Sequence, residues 1–156
     1  MGAVKINFDG AIFSSIKAVG IGVVIRDWRG RFCAGLSRLI RRPLSVESVE
    51  TLAACCALDL GRQLGYSSIV LEGDALSVVE AIGKKEPNLS EAGHLIELIQ
   101  SSTELLMDFS SSWVWRSANG VADALAHYAC QCTDSALWRG VCPYFIGPLI
   151  LRESSS

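Results

Sequence analysis

Residues 4–39, VKINFDGAIFSSIKAVGIGVVIRDWRGRFCAGLSRL, decide the fold because they contain three strand-like segments joined by short connections. In residues 4–9 apolar and polar side chains alternate, which is typical of a strand with one apolar face. Residues 20–27 and 31–39 predict two further strands, and Gly30 ends the tight turn between them. Strands that follow one another so closely pair in an antiparallel meander.

The rest of the chain predicts alternating helices and strands. After Pro43 the apolar spacing changes from two residues to three and four, which indicates a helix that begins at Ser45 or Ser48 and stops at Gly65. The later elements are a strand at 68–72, a helix at 75–82, a helix at 90–107, a strand at 110–116 and a helix at 119–132. A strand–helix–strand crossover requires parallel neighbours. We therefore predict an α/β fold: a five-stranded mixed sheet, with its first three strands antiparallel, flanked by helices.

The length of 156 residues fits one domain, which we place at residues 1–134, followed by a tail at 135–156. The tail is apolar but has no clear periodicity. We expect it to pack back on the domain as an irregular segment, with residues 152–156 loose.

Composition and charge exclude several classes of protein. The net charge of −2 provides no strong overall field that would attract nucleic acid, so such a partner needs a local site. No apolar run approaches the ~20 residues of a membrane-spanning helix, and the start of the chain does not resemble a signal peptide. We expect a monomer without a membrane partner, intracellular, in the nucleus or cytoplasm.

Four carboxylates lie where the predicted strands end or the predicted helices begin: Asp9, Glu50, Asp74 and Asp123. Open α/β sheets bind ligands at such positions, and a buried carboxylate is costly unless it is paired or bound to metal. Hard oxygen ligands suit Mg²⁺ or Mn²⁺, and two such ions about 3.5–4 Å apart can support phosphodiester cleavage. For each carboxylate alone, a helix cap or a solvated surface acid is an equal alternative.

Several motifs resemble one known family, the plant ribonuclease H-like domains related to retroelement reverse transcriptases. The matching stretches are 5–11 (KINFDGA), 20–27 (GIGVVIRD), 49–53 (VETLA), 70–74 (VLEGD) and 121–126 (VADALA). They occur in the family's order, and the resemblance covers nearly the whole chain.

The resemblance implies both an activity and a ligand set. It implies an endoribonuclease that cleaves the RNA strand of RNA–DNA hybrids by two-metal-ion hydrolysis. The catalytic residues, which hold two Mg²⁺ or Mn²⁺ ions, would be Asp9, Glu50, Asp74 and Asp123. Glu47 lies one helical turn before Glu50 and competes for its role, since residues three apart share a helical face. We choose Glu50 because the residues that follow it match the family pattern.

One departure from the family bears on turnover. The family commonly has a histidine in the last strand of the predicted sheet, and Trp113 stands there in this chain. The alternative hypothesis is therefore a catalytically weak or inactive nucleic-acid-binding module derived from a retroelement. A third hypothesis is a protein-interaction domain that docks through its apolar tail.

An RNA–DNA hybrid is recognised through its backbone shape, its 2′-hydroxyl groups and its phosphate charge. We expect several basic residues to contact phosphates. An equal alternative is that they form a solvated basic surface without a partner. The residues predicted to bind nucleic acid are Arg26, Lys84 and Lys85 at phosphates, and Asn7, Asn119 and the backbone of Gly10 and Ala11 near the metals.

Overall fold

The computed structural model describes residues 2–84, 88 and 90–154. The strands in this part of the chain are β1 (Val4–Phe13), β2 (Ala18–Asp27), β3 (Phe32–Ile40), β4 (Ser68–Gly73), β5 (Asp108–Trp113) and β6 (Ser135–Arg139). The helices are α1 (Val46–Gln63), α2 (Leu76–Gly83), α3 (Gly93–Thr103), α4 (Gly120–Tyr128) and α5 (Gly147–Ser154). None of the helices described is long and apolar enough to cross a membrane.

The strands form one mixed sheet in the order β5-β4-β1-β2-β3-β6. β1, β2 and β3 pair antiparallel, whereas β4 lies parallel to both β1 and β5. The predicted α/β fold with an antiparallel meander is therefore confirmed. The predicted number of five strands is wrong, because the sheet has six.

The sixth strand comes from the tail, for which we expected an irregular segment. β6 pairs antiparallel with β3, from Arg38 opposite Ser135 to Ala34 opposite Arg139. This pairing satisfies backbone groups that the edge of β3 would otherwise leave without partners. Trp138 then packs against the rings of Tyr128 and Phe145, with 5.6 and 5.9 Å between ring centroids. α5 also continues through Ser154, so residues 152–154 are helical rather than loose.

Several other boundaries differ from the sequence prediction. β1 continues to Phe13, so Asp9 lies inside the strand rather than at its end. α3 begins at Gly93 and ends at Thr103, shorter than predicted, because the chain turns before β5 begins at Asp108. Ser45, not Ser48, caps α1, since its side chain accepts a hydrogen bond from the Ser48 N–H at 3.1 Å.

Helices pack on both faces of the sheet. α1 covers the face on which the fully buried side chains of Ile6 and Phe8 lie. α4 covers the other face and sits very close to β2, where a Cβ at Gly20 or Gly22 would overlap the α4 backbone. Gly22 lies opposite Asp9 in the register of β1 and β2. The missing side chain therefore lets the start of α4 approach β1 at Asp9.

Candidate metal centre

Three of the four predicted carboxylates meet at one point. Asp9, Glu50 and Asp74 each contribute one carboxylate oxygen to a group whose members lie within 4.8 Å of one another. β1 supplies Asp9, α1 supplies Glu50, and Asp74 directly follows β4. Asn7 lies opposite Glu72 in the parallel register of β1 and β4, so the residues two positions further on reach the same end of the sheet.

The fourth carboxylate lies beside this group but outside it. Asp123 is in the first turn of α4, and 43% of its side chain is exposed. Its negative charge is near enough to contribute to raising the pKa of Asp9. Its Oδ1 also lies 3.3 Å from Nδ1 of His127, one helical turn later.

Glu47 and Glu50, the two candidates for the metal ligand from α1, lie in different environments. Glu50 is buried and belongs to the three-carboxylate group, whereas Glu47 is exposed at the start of α1. The geometry therefore favours Glu50.

The group is poorly compensated in the absence of a cation. Burial raises the pKa of the Asp9 carboxyl, and the charge of Asp74 raises it further. Burial, followed by the charge of Asp9, raises the pKa of Glu50 in the same way. The N–H of Gly10 donates to Asp9 Oδ1 at 2.9 Å and to Glu50 Oε1 at 3.3 Å. This one amide group cannot balance the negative charges of both Asp9 and Glu50.

One oxygen of the group is unsatisfied. Glu50 Oε2 is buried and has no hydrogen-bond partner among the residues that the structure describes. A buried polar atom of this kind is rare in folded proteins and calls for an explanation, such as a bound ion. Oxygen-rich carboxylate groups suit Mg²⁺ and Mn²⁺, so Asp9, Glu50 and Asp74 fit a divalent cation.

A run of polar side chains, which we call the polar chain, leads to the carboxylates. Its members are Glu153, Arg26, Asn7 and Asn119, and it ends at Asp74. Arg26 Nη1 donates to Glu153 Oε2 at 2.7 Å, and Arg26 Nη2 donates to Asn7 Oδ1 at 3.0 Å. Asn7 Nδ2 donates to Asn119 Oδ1 at 3.1 Å, and Asn119 Nδ2 donates to Asp74 Oδ1 at 3.4 Å.

The polar chain corrects part of the predicted nucleic-acid contact set. Asn7 and Asn119 are each 1% exposed and Arg26 is 6% exposed, and their polar groups bond within the protein. We therefore withdraw these side chains as contacts to substrate. Ala11 is buried, while Gly10 is half-buried. Lys84 is exposed, and Lys85 lies outside the described residues.

Sequence reasoning did not predict the contacts that three residues make beside the carboxylates. Arg116 is 87% exposed and places Nε 3.5 Å from Asp74 Oδ2. Trp113, at the family's histidine position, donates from Nε1 to the Asp74 carbonyl at 3.2 Å. Trp115 is 71% exposed and contacts Trp113 edge-on, with 4.6 Å between ring centroids. The RSANG stretch at 116–120 contained the arginine, but nothing in the sequence indicated what it contacts.

The mixed sheet and the carboxylates from β1, α1 and the end of β4 define a ribonuclease H-like domain. The sequence model described as "Reverse transcriptase-like" matches residues 7–129, and the chain belongs to that family. The ribonuclease H-like resemblance found in the sequence is thereby confirmed. Among curated proteins, no sequence matches the chain.

Solved structures of RNase H proteins are similar to this one over most of their length. RNase H1 from the halophilic archaeon Halobacterium salinarum NRC-1 is 27% identical with a TM-score of 0.76, covering 83% of this chain and 98% of that one. The N-terminal RNase H domain of rv2228c from Mycobacterium tuberculosis is 22% identical with a TM-score of 0.75, covering 84% and 95%. LC11-RNase H1, solved in complex with an RNA/DNA hybrid, is 20% identical with a TM-score of 0.71, covering 82% and 96%.

Proposed function

We propose that this chain is an endoribonuclease that cleaves the RNA strand of RNA–DNA hybrids with two divalent cations, Mg²⁺ or Mn²⁺. Asp9, Glu50, Asp74 and Asp123 would hold the ions. The observation that carries the proposal is the three-carboxylate group with its unsatisfied buried oxygen on Glu50. The ribonuclease H fold adds support, as does the RNA/DNA hybrid bound to the similar LC11-RNase H1.

Each carboxylate would contribute through its position. When bound, the cations would lower the pKa of an attacking water and offset the charge that develops on the phosphodiester. Asp9 lies on the rigid central strand β1, and the Gly10 N–H orients its Oδ1. Asp74 would stand beside it, and the more exposed Asp123 would complete the set on the side of α4.

Exposed residues next to the carboxylates would contact the substrate. The guanidinium of Arg116 would bind a phosphate, because it is exposed and already lies beside Asp74. Trp115 offers an exposed ring on which a base can stack. Lys84 would add a more distant phosphate contact.

The second candidate is a nucleic-acid-binding module without useful turnover. Trp113 favours it, because an indole N–H can only donate a hydrogen bond and cannot accept a proton as a histidine can. In this chain that N–H is also occupied by the Asp74 carbonyl. The carboxylate group favours the enzyme, since binding alone does not need a costly cluster of buried acids.

An assay with a labelled RNA–DNA hybrid distinguishes the two candidates. The wild-type protein is incubated with Mg²⁺ or Mn²⁺ beside Asp9→Asn and the control Asp108→Asn. Asp108 is an exposed acid at the opposite end of β5 from Trp113, so its loss removes the same charge without touching the site.

We expect cleavage of the RNA strand by the wild type and by Asp108→Asn, and only background cleavage by Asp9→Asn. If all three proteins bind the hybrid and none cleaves it, the binding module is supported and the enzyme is rejected. Equal cleavage by all three would remove the carboxylates from the mechanism.

A further inference from the structure

The polar chain links the C-terminal helix α5 to a candidate metal ligand. Glu153, in the last turn of α5, lies 2.7 Å from Arg26, and the two side chains are only 10% and 7% exposed. Three further hydrogen bonds lead from Arg26 through two asparagine amides to Asp74. The proposed catalytic step uses neither Glu153 nor Arg26.

The polarity of the chain is consistent from one end to the other. A guanidinium only donates hydrogen bonds, so Asn7 must present its oxygen to Arg26. The nitrogen of Asn7 then faces the Asn119 oxygen and also Glu72 Oε2, at 3.1 and 3.4 Å. The nitrogen of Asn119 in turn donates to the Phe8 carbonyl at 3.0 Å and to Asp74 Oδ1 at 3.4 Å. In both side-chain amides the nitrogen therefore donates two hydrogen bonds and the oxygen accepts one.

Glu153 holds the donor at the start of this chain. It pairs with Arg26 through Oε2, while its Oε1 accepts the Val121 N–H of α4 at 3.2 Å. A second carboxylate, Glu72, accepts from the Asn7 amide nitrogen at 3.4 Å. A buried guanidinium that loses Glu153 keeps an unpaired charge, so we expect Arg26 to shift and its bond to the Asn7 oxygen to weaken.

We infer that Glu153 is a positioning residue for the metal centre, acting through Arg26, Asn7 and Asn119 to fix the donor that orients Asp74. The inference rests on the proposed function, since it assigns the metal to the carboxylates named there. Partners that orient metal ligands commonly change metal affinity by about 10- to 100-fold when removed. Because three residues separate Glu153 from Asp74 along the polar chain, we expect the lower end of this range, about tenfold.

Mn²⁺ affinity, measured by calorimetry at one fixed pH in the absence of nucleic acid, tests the inference. The variant is Glu153→Gln, and its control is Arg152→Gln, an exposed residue of the same helix. We expect Glu153→Gln to bind Mn²⁺ about tenfold more weakly than the wild type. Arg152→Gln should bind as the wild type does.

A double variant separates positioning from stability. Arg26→Met with Glu153→Leu replaces the buried ion pair by apolar side chains, a change that often leaves a protein as stable as before. It still removes the donor to Asn7. If the double variant is as thermally stable as the wild type but binds Mn²⁺ weakly, the result supports a positioning role for Glu153. If it is as stable as the wild type and binds Mn²⁺ with wild-type affinity, the result overturns that role.

The remaining outcomes are also decisive. A wild-type protein that binds no Mn²⁺ removes both the proposed metal centre and this inference. Wild-type binding with an unchanged affinity in a folded Glu153→Gln removes the inference alone. If Glu153→Gln does not fold, the wild-type protein is titrated with Mg²⁺ and the side-chain NMR signals are followed. A shift at Asn119 that extends to Asn7 and Arg26 supports the coupling, and a shift confined to the carboxylates overturns it.

Discussion

Two buried polar regions lie side by side in this protein, and they are built in opposite ways. In the polar chain, the Arg26 charge has a carboxylate partner and the amide groups of Asn7 have donors and acceptors. In the carboxylate group, Asp9, Glu50 and Asp74 share few donors, and Glu50 Oε2 has none among the residues described. One hydrogen bond of 3.4 Å, from Asn119 to Asp74, joins the two regions.

The difference indicates which region stabilises the protein and which one is suited to bind a cation. A satisfied buried network holds its side chains in one arrangement without help. A group of acids that repel one another is unfavourable until a cation enters it. Folded proteins commonly place such costly features at functional sites and compensate for them elsewhere in the structure.

The largest expected effect comes from breaking the satisfied region. Arg26→Met removes the cation that pairs with the Glu153 carboxylate and the donor to the buried Asn7 oxygen, so we expect the free energy of unfolding to fall by about 3–5 kcal/mol. Denaturation with urea measures the change. Arg116→Met is the matched control, because Arg116 is 87% exposed and its ion pair should contribute less than about 1 kcal/mol. Equal losses in the two variants would contradict the contrast between the regions.

The second effect comes from adding a divalent cation. Ligand that binds the folded state alone stabilises it, by about 2.7 kcal/mol at a concentration 100 times its Kd. We expect Mg²⁺ or Mn²⁺ at that level to raise the unfolding free energy of the wild type by this amount. Asp9→Asn should show no such gain. An equal gain in that variant would place the cation elsewhere on the protein.

The third effect is a dependence of stability on pH without metal. Asp9 and Glu50 have raised pKa values in the folded state, so the folded protein retains protons that the unfolded chain has already lost. The sign is therefore opposite to that of an ordinary ion-paired acid: these two groups make the metal-free protein less stable as pH rises above their usual range. The loss is up to about 1.4 kcal/mol per pH unit for each retained proton.

Thermal unfolding of the wild type and of Asp9→Asn with Glu50→Gln, compared across the pH range, measures this contribution. We expect the advantage of the double variant to grow as pH rises and then level off once both wild-type carboxyls are ionised. Saturating Mg²⁺ should remove the fall in the wild type, because bound metal requires the ionised carboxylates. A constant difference between the two proteins would show that these pKa values are not raised.

The sequence predicted the meander and the four carboxylates because both leave a local pattern. Alternating side chains identify β1, and the acids interrupt otherwise apolar stretches. The order of strands and helices then carries Asp9 and Asp74 to the same end of the sheet. These inferences needed the spacing of residues near one another in the chain, and the resemblance to a known family then implied the ligand set.

The remaining features depend on partners that are distant in the sequence. Arg26 has the same local pattern whether it binds a phosphate or Glu153, which lies 127 positions later. β6 is only five residues long, and its pairing depends on the free edge of β3. The role of Trp113 depends on the Asp74 carbonyl, 39 positions earlier. No local pattern reports such contacts.

The close packing of α4 on β2 depends on Gly22, and this packing determines how far Asp123 lies from the other acids. Gly22 faces the Ala122 carbonyl, one residue before Asp123, and lies opposite Asp9 in the neighbouring strand. A methyl group at position 22 would push the helix outward while leaving every acidic side chain unaltered. Because Gly22 has no side chain, it sets how closely α4 approaches β1. A larger residue there would increase the distance between Asp123 and the other three acids.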